Sequence, residues 1–233
     1  MSDGSDELGR IADRYARRGP AAGPSAFTRC MVEERQGHYR RLLGTLADGR
    51  LGAIDLLEVG CGAGGELGRM IAMGLDPARL VGVELLPDRL AAARAALPPS
   101  VRLVGGDAST AALPADSFDV VFQSTVFTSI LDDGLARRLA RRMWELVRPG
   151  GAVLWYDFTV DNPRNPDVRG VPMRRVRELF PQGEPASWRV TLAPPIGRRV
   201  APLGAWAYRA FAAVPALRTH LVAWIRKPAD GGA

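Results

Sequence analysis

The chain has 233 residues, of which 47% are hydrophobic, and its formal net charge is +6. This length is enough for one α/β domain with a full core and some additions, but it is short for two independent domains. The chain has no run of about 18 uncharged apolar residues and no signal-peptide pattern at its N-terminus. We therefore expect a cytoplasmic protein without membrane association.

The positive charge lies towards the C-terminus. Residues 161–233 contain 12 Lys and Arg against 5 Asp and Glu, a balance of +7, whereas residues 51–160 contain 10 against 13, a balance of −3. The basic residues are scattered, few aromatic residues lie among them, and Lys227 is the only lysine, so a nucleic-acid partner is disfavoured. Cys30 and Cys61 have neither metal-ligand spacing nor an evident disulfide role, so we expect a reducing compartment and no bound metal.

Residues 1–50 contain two helical patterns separated by a Gly- and Pro-rich break. The first pattern runs from about Asp6 to Arg18, and Ser25 is a suitable N-cap for the second. We expect two helices in this segment, ahead of a single domain that comprises residues 51–233.

An apolar strand that runs into a glycine-rich turn and then into a helix occupies residues 56–67. Gly60, Gly62 and Gly64 can adopt positive φ, and without a Cβ they allow a ligand to approach the backbone. Such a turn is also found in ordinary strand-to-helix connections, so the glycines alone do not decide between a nucleotide cradle and a plain turn.

Further apolar runs follow at the spacing of a βαβ fold. One ends in the acidic residue Glu84, about 20 residues beyond the turn, where a ribose diol could be bound. Continuous apolar strands are typical of a parallel sheet covered by helices on both faces, and Pro87 and Asp132 mark helix starts. The remaining strands of this part are predicted at residues 101–104, 118–122 and 152–156.

After the fifth strand the pattern is less regular. Residues 157–166 form a polar, proline-containing loop, and loops of this length often carry function. The rest of the chain predicts a helix at 172–180, a strand at 188–193, a helix at 206–214 and a final strand at 219–225.

Five motifs in this order resemble the class I S-adenosylmethionine-dependent methyltransferases over roughly residues 56–158. They are Glu-Val-Gly-Cys-Gly in the first turn, the strand-terminal Glu84, Gly-Asp-Ala at 106–108, Phe-Asp-Val-Val at 118–121 and Arg-Pro-Gly-Gly at 148–151. The resemblance implies a doubly wound, Rossmann-like α/β fold with a seven-stranded, mostly parallel sheet whose last strand is antiparallel. It also implies the cofactor S-adenosylmethionine and an N-terminal helical cap or lid, here residues 1–50, over the cofactor and substrate.

A nicotinamide dehydrogenase is the rival interpretation, since Gly60, Gly62 and Gly65 also satisfy the dinucleotide fingerprint. Three features disfavour it. Glu58 lies inside the first strand, Arg-Pro-Gly-Gly precedes the fifth, and about 50 residues come before the first strand, although the dehydrogenase fingerprint usually opens its domain.

The resemblance assigns cofactor contacts to particular residues. Glu84 is implied to bind the ribose hydroxyls, Asp107 the adenine amino group, and the Ala108 amide an adenine ring nitrogen. Leu85 is implied to pack on the adenine. The methionine end is assigned to Glu58, Gly60, Cys61, Gly62 and Gln123.

Catalytic and substrate residues are less constrained by motif. Tyr156 and Asp157 follow the fifth strand at the sheet edge where α/β folds bind ligands, so they are the catalytic candidates, although strand alternation allows only one to face the site. Candidates for the substrate pocket are Tyr15, Arg18, His38, Tyr39 and Asn165, for which surface charge and ordinary packing are alternative explanations.

The predicted activity is methyl transfer to an oxygen or nitrogen of a small molecule, in secondary or specialised metabolism. The family's Asn-Pro-Pro-Tyr signature of nucleic-acid and protein amine methylation is replaced here by Gln-Ser-Thr-Val at residues 123–126. Two alternatives remain open. The same fold could transfer or cyclise another carbon of the cofactor with release of methylthioadenosine, or it could bind the cofactor without catalysis.

Overall fold

The computed structural model describes residues 4–17, 23, 25–163 and 165–229, so Arg18 lies outside the described residues. This part of the chain contains seven strands and eight α-helices. The strands are Leu56–Val59 (β1), Leu80–Glu84 (β2), Arg102–Gly105 (β3), Phe118–Ser124 (β4), Val147–Phe158 (β5), Glu184–Leu192 (β6) and Arg218–Arg226 (β7). The helices are Gly4–Ala16 (α1), Ala26–Leu43 (α2), Gly65–Met73 (α3), Pro87–Ala96 (α4), Asp133–Leu146 (α5), Met173–Leu179 (α6), Pro194–Val200 (α7) and Ala205–Ala212 (α8).

All seven strands join one sheet in the order β3-β2-β1-β4-β5-β7-β6. The pairs among β1 to β5 are parallel, and β7 is antiparallel to both β5 and β6. The predicted fold class is thus confirmed. The strand order reverses between β1 and β4, and the edge of the sheet at this reversal is where open α/β folds bind their ligands.

Alternate residues of the central strands pack into different cores. Leu57 and Val121 face the core that α5 and α6 cover, while Leu56 and Phe122 face the core beneath α2 and α3. Both cores are fully excluded from water at the sheet, which explains why the strands are apolar throughout. Burial of each such side chain stabilises the fold by about 1.5–3 kcal/mol.

Three helices begin where the sequence predicts. The Ser25 hydroxyl accepts a hydrogen bond from the Thr28 amide at 3.1 Å, and the Asp132 carboxylate accepts one from the Leu135 amide at 2.6 Å. Pro87 occupies the first turn of α4. These caps satisfy amides that the helices themselves leave unpaired, so the local sequence determines where each helix starts.

Other boundaries differ from the prediction. Strand β5 begins at Val147, so it includes the Arg-Pro-Gly-Gly motif, and β6 begins four residues earlier than expected. Helix α7 was not predicted, because its opening Pro194-Pro195 suggests a loop although proline is well tolerated in a first helical turn. The four arginines of α5, at residues 137, 138, 141 and 142, are typical of a solvent-exposed helix face, but Arg142 is partly buried and donates to the carbonyls of Ala111 and Leu113.

Candidate active site

The glycine-rich turn after β1 has the backbone conformation that its sequence predicts. The φ angles of Gly60, Gly62 and Gly64 are 69°, 57° and 81°, a region that residues with a Cβ rarely adopt. A Cβ on Gly60 would lie 2.6 Å from Cγ2 of Val126. Glycine at this position therefore allows the Val126 side chain to pack directly against the turn.

Glu84 closes the next strand beside this turn. Its carboxylate is 5% exposed and accepts hydrogen bonds from the Gly62 amide at 2.7 Å and from the Leu86 amide at 2.9 Å. A carboxylate offers about four acceptor positions, so the two amides orient Glu84 and leave positions for a further pair of donors.

Asp107 lies at the end of β3. The amide and hydroxyl of Ser109 donate to its two carboxylate oxygens at 2.8 Å and 2.7 Å. The preceding Gly106 has φ 115° and donates its amide to the Glu84 carbonyl at 2.9 Å. This turn holds the two acidic residues at neighbouring strand ends, as the motif spacing predicts.

These strand ends and helix α1 enclose a first cavity of about 200 Å³. Five of the predicted cofactor residues line it, namely Gly60, Glu84, Leu85, Asp107 and Ala108. The other lining residues are Leu8, Ile11 and Tyr15 of α1, Val59, Val83, Leu86, Arg89, Gly106, Ser124, Thr125, Val126, Ser129, Ile130, Leu135 and Leu139. We call it the cofactor cavity.

Three more predicted cofactor residues lie behind this wall. Glu58 is 2% exposed and points into the core beneath α2 and α3, where burial, followed by the charge of Glu66, raises its pKa well above the usual range. Its Oε2 has no hydrogen-bond partner among the described residues. Burial raises the pKa of the Cys61 thiol to about 12, and Gly62 faces Glu84 through its amide.

Gln123, the ninth predicted cofactor residue, supports the turn that follows β4. Its side chain is fully buried, donates to the Tyr156 carbonyl at 3.3 Å and accepts from the Val126 amide at 3.0 Å. Gln123 is not among the described residues that line the cavity, whereas Ser124, Thr125 and Val126 are. The side-chain amide of Gln123 therefore holds the turn that forms part of the cavity wall, although Gln123 itself does not line the cavity.

Thr125 is a conformational outlier in this turn. Its φ is 59°, which is unfavourable for a β-branched residue and stores about 1–3 kcal/mol of strain. The Thr125 amide donates to the Tyr156 carbonyl at 2.8 Å, and its own carbonyl accepts from the hydroxyls of Thr128 and Ser129. These bonds hold the strained residue in place.

A second, larger cavity of about 610 Å³ adjoins the first. Tyr15, Thr125 and Ser129 line both cavities, and the hydroxyls of Tyr15 and Ser129 are 3.4 Å apart. We call these three residues the junction and the larger space the acceptor cavity. Its remaining walls come from Arg14, Thr128, Phe158, Val160, Asp161, Asn162, Pro163, the predicted Asn165, Val168, Arg169, Gly170, Ala193, Pro194, Pro195, Arg198 and Thr219.

The two catalytic candidates are buried on opposite faces of β5. The Tyr156 hydroxyl lies 3.0 Å from the Thr191 hydroxyl, and the Arg35 guanidinium lies 4.8 Å from the Tyr156 ring centre. Burial raises the pKa of Tyr156 to about 12. Neither Tyr156 nor Asp157 is among the described residues that line the two cavities, so their catalytic role remains a prediction without geometric support.

Asp157 is nevertheless close to the acceptor cavity. It accepts hydrogen bonds from the amide and hydroxyl of Thr128 and from the Phe158 amide, and both of these residues line that cavity. Complete burial raises the pKa of Asp157 to about 7, although the Thr128 hydrogen bonds oppose the rise. The carboxyl group therefore anchors the wall from behind.

Helix α2 does not bring its two candidates to either cavity. Tyr39 is fully buried, with its ring centre 5.2 Å from that of Phe122 on the opposite sheet face. The His38 ring lies 6.1 Å from Trp188, and neither His38 nor Tyr39 is among the described lining residues. The apolar face of α2 packs on the sheet, which explains this orientation.

The predicted Tyr15 lines both cavities, but sequence reasoning missed several other lining residues. Ile11 lies four residues before Tyr15 on α1, so the two side chains share one face of the helix, and this spacing could have indicated Ile11. No motif indicated Thr125 and Ser129 in the turn after β4. Arg14, Arg89 and Arg198 carried no such pattern, because only the tertiary fold brings them to the cavities.

Two searches of the described residues gave negative results. No group of three or more His, Cys, Asp or Glu side chains in those ranges could hold a metal ion. None of the helices described above is long and apolar enough to cross a membrane.

The sequence of residues 56–151 matches a family model described as a methyltransferase domain. A comparison with curated proteins gives no match. Among solved structures, the fold is similar to the N-methyltransferase NodS from Bradyrhizobium japonicum WM9, with 17% identity, a TM-score of 0.62 and coverage of 85% of this chain and 97% of that one.

Two other solved structures are similarly related. An S-adenosylmethionine-dependent methyltransferase from Mesorhizobium loti has 16% identity, a TM-score of 0.58 and coverage of 82% of this chain and 97% of its own. The [4+2]-cyclase SpnF has 17% identity, a TM-score of 0.60 and coverage of 96% and 93%. At such low identity these likenesses concern the fold alone.

The family match and the fold agree with the motif order in the sequence. Residues 56–151 thus match a methyltransferase domain, and they lie in a seven-stranded sheet with an antiparallel last strand, as the resemblance to the class I S-adenosylmethionine-dependent methyltransferases implies.

Proposed function

We propose that this protein transfers a methyl group to an oxygen or nitrogen of a small molecule, in the cytoplasm and in secondary or specialised metabolism. The observation that carries the proposal is the junction, where the cofactor cavity and the acceptor cavity share Tyr15, Thr125 and Ser129. Two adjoining cavities with a common wall are the arrangement that a two-substrate group transfer requires.

The cofactor cavity fits S-adenosylmethionine on its own chemistry. Glu84 keeps acceptor positions for the two ribose hydroxyls while backbone amides fix its orientation. Asp107 has the same capacity for the adenine amino group, and Leu85 offers an apolar surface beside it. The backbone of Gly60, which also lines this cavity, would then receive the methionine end.

When bound, S-adenosylmethionine supplies an electrophilic methyl group on a positively charged sulfur that is also the leaving group. The chain has to orient an acceptor atom in line with that methyl group and keep water away from it, and orientation alone can supply several kcal/mol of catalysis. The hydroxyls of Tyr15 and Ser129 lie at the junction, where they can hydrogen-bond an acceptor oxygen or nitrogen.

The size of the acceptor cavity supports a small-molecule acceptor. Its volume of about 610 Å³ falls within the range of roughly 300–1,000 Å³ that is usual for small-molecule sites. Helix α1 contributes Arg14 and Tyr15 to its wall, in keeping with the expected lid. The absence of Asn-Pro-Pro-Tyr after β4 supports the same choice.

One observation favours a second candidate activity. Because neither Tyr156 nor Asp157 lines a cavity, the described walls offer no obvious general base among the predicted catalytic residues. Attack on another carbon of the sulfonium, with release of methylthioadenosine, needs no new cavity. A cofactor-binding module without turnover is the third possibility.

Mass spectrometry of the protein with S-adenosylmethionine, with and without a panel of amine, phenol and carboxylic acid acceptors, tests the proposal. We expect S-adenosylhomocysteine and a methylated acceptor, together with saturable cofactor binding by calorimetry. Methylthioadenosine above the non-enzymatic background would favour the second activity. Cofactor binding without product across the panel would favour the binding module, and tighter binding of NAD would overturn the family-based function altogether.

A further inference from the structure

We propose that the acceptor carries an anionic oxygen group, a carboxylate or a phosphate, which Arg14 and Arg198 bind in the acceptor cavity. This inference rests on the proposed function, because it names the substrate class of the same site. It is carried by the charges of the cavity wall, which the cofactor chemistry does not require.

Arg14 presents a charge at the lid side of the cavity. It is only 7% exposed, it lines the acceptor cavity, and its guanidinium lies 5.0 Å from the ring centre of Tyr15. Tyr15 belongs to the junction. A partly desolvated guanidinium attracts an anion more strongly than one in bulk water, so an acidic group at Arg14 would lie close to the reacting atoms.

Arg198 presents a second charge from the opposite wall. It is exposed on α7, lines the cavity and forms no ion pair with any described residue. Helix α7 is seated closely on α2, since a Cβ at Gly197 would lie 2.2 Å from the Phe27 ring. This contact fixes the rotation of α7, and the neighbouring Arg199 is not among the described lining residues.

The other charged groups of the wall do not cancel these two. Arg169 is paired with Asp133 at 2.7 Å, so its charge is largely offset. Asp161 is the one carboxylate among the described lining residues, and it accepts the Gly170 amide at 2.7 Å. With Arg169 offset by Asp133, the described lining residues Arg14 and Arg198 carry two positive charges against the single carboxylate of Asp161, so the wall has a net positive charge that favours an anion and disfavours an ammonium group.

The apolar residues of the wall indicate what the rest of the acceptor molecule, apart from its acidic group, should be. Phe158, Val160, Pro194 and Pro195 give the cavity an apolar surface between its charged groups. We therefore expect a molecule with a hydrophobic or aromatic body and an acidic group. Guanidinium groups bind both carboxylate and phosphate in a bidentate manner, so the test has to distinguish the two.

Calorimetry with benzoate, phenyl phosphate and the neutral benzyl alcohol tests the anion site directly. We expect the two anions to bind and benzyl alcohol to bind about tenfold more weakly or not at all, and the stronger of the two anions identifies the acidic group. Arg198→Ala should weaken the anions about tenfold. Arg199→Ala is the matched control on the same helix and should leave their affinity unchanged.

Arg14→Gln should also lose about tenfold in anion affinity, and circular dichroism checks that this variant folds. If Arg14→Gln does not fold, the comparison of anion affinity between Arg198→Ala and Arg199→Ala tests the inference. Equal binding of benzyl alcohol and benzoate, or an equal loss in Arg199→Ala and Arg198→Ala, would overturn the inference.

The inference and the proposed function can fail separately. Anion binding that depends on Arg198, in a protein that forms no S-adenosylhomocysteine with any acceptor, would leave the anion site and remove the function. Methyl transfer to neutral or cationic acceptors only, unaffected by Arg198→Ala, would keep the function and remove the anion site.

Discussion

The cofactor cavity and the acceptor cavity are built in different ways. The first takes its polar wall from consecutive strand ends, where the backbone of Gly60 and the carboxylates of Glu84 and Asp107 are fixed by nearby amides. The second takes its walls from α1, the turn after β4, the loop after β5, α7 and the start of β7. The first is a local construction, whereas the second is an assembly of distant segments.

This difference indicates which residues the fold must keep for cofactor binding and which residues it can replace. The strand-end geometry has to be kept if the cofactor is to bind, because backbone amides and positive-φ glycines form it. The acceptor cavity depends on side chains from loops and short helices, which can change without disturbing the sheet. Substitutions in one cavity should therefore have little effect on the other, and the following predictions test this independence.

Glu84→Ala should give the largest effect, because it removes the carboxylate that we propose accepts hydrogen bonds from the two ribose hydroxyls. We expect cofactor affinity by calorimetry to fall by about 3 kcal/mol, or roughly 150-fold. Affinity for the acceptor-cavity probe benzoate should not change. Asp88→Ala, on the exposed first turn of α4, is the control. An unchanged cofactor affinity in the Glu84 variant would mean that Glu84 only stabilises the glycine-rich turn through the Gly62 amide and does not bind the cofactor.

Asp157, which lies behind the wall of the acceptor cavity, should make the free energy of unfolding depend on pH. Its pKa is about 7 in the fold against 3.8 for an ordinary Asp, so between these values the folded state binds more protons than the unfolded state. Stability should therefore fall as pH rises through this window. From pH 5 to pH 8, urea unfolding should show a loss of about 2 kcal/mol that Asp157→Asn lacks. Parallel pH profiles for the two proteins would contradict the assigned titration.

Gly170→Ala should affect the acceptor cavity alone. Its Cβ would lie 2.5 Å from the backbone carbonyl carbon of Val160, and a side-chain rotation cannot relieve a backbone contact. We expect benzoate affinity to fall about tenfold while cofactor affinity stays within about twofold. Gly9→Ala on α1, where a Cβ meets nothing within 4 Å, is the matched control. Equal losses for both ligands would show that the two cavities are coupled.

Tyr15→Phe should have the smallest effect, since it removes one hydroxyl at the junction and keeps the ring. The ring lies 4.7 Å from the Arg89 guanidinium, so the wall of the cofactor cavity should persist. We expect kcat to fall about fivefold, the value of one hydrogen bond, with cofactor affinity unchanged. A change in cofactor affinity with kcat preserved would place the Tyr15 hydroxyl on the cofactor side instead.

The contrast between the two cavities also explains which parts could be predicted from sequence. Glycines and strand-terminal acids at fixed spacing predicted the succession of strands and helices and the positions of Glu84 and Asp107 at strand ends, because these features depend on short stretches of sequence. Arg14 and Arg198 could not be paired from sequence, since they are brought together only by the packing of α1 and α7. Helix α7 itself could not be predicted, because its opening Pro194-Pro195 suggests a loop.

The predictions that found no geometric support have physical reasons as well. Tyr39 is a polar aromatic residue of the kind that often lines substrate pockets, but on α2 its ring packs against Phe122. Strand alternation correctly put Tyr156 and Asp157 on opposite faces. Sequence could not indicate that the turn after β4 would cover Asp157 with Thr128, because that turn departs from the family motif.

The strained Thr125 has a consequence for laboratory evolution of this protein. Glycine or asparagine adopts a φ near 59° at lower cost than threonine, so a selection for thermostability alone should replace Thr125 early. A selection for turnover should reject the same substitutions, because Thr125 lies in the wall shared by both substrates. We therefore expect glycine or asparagine at residue 125 to raise thermostability and lower the catalytic rate.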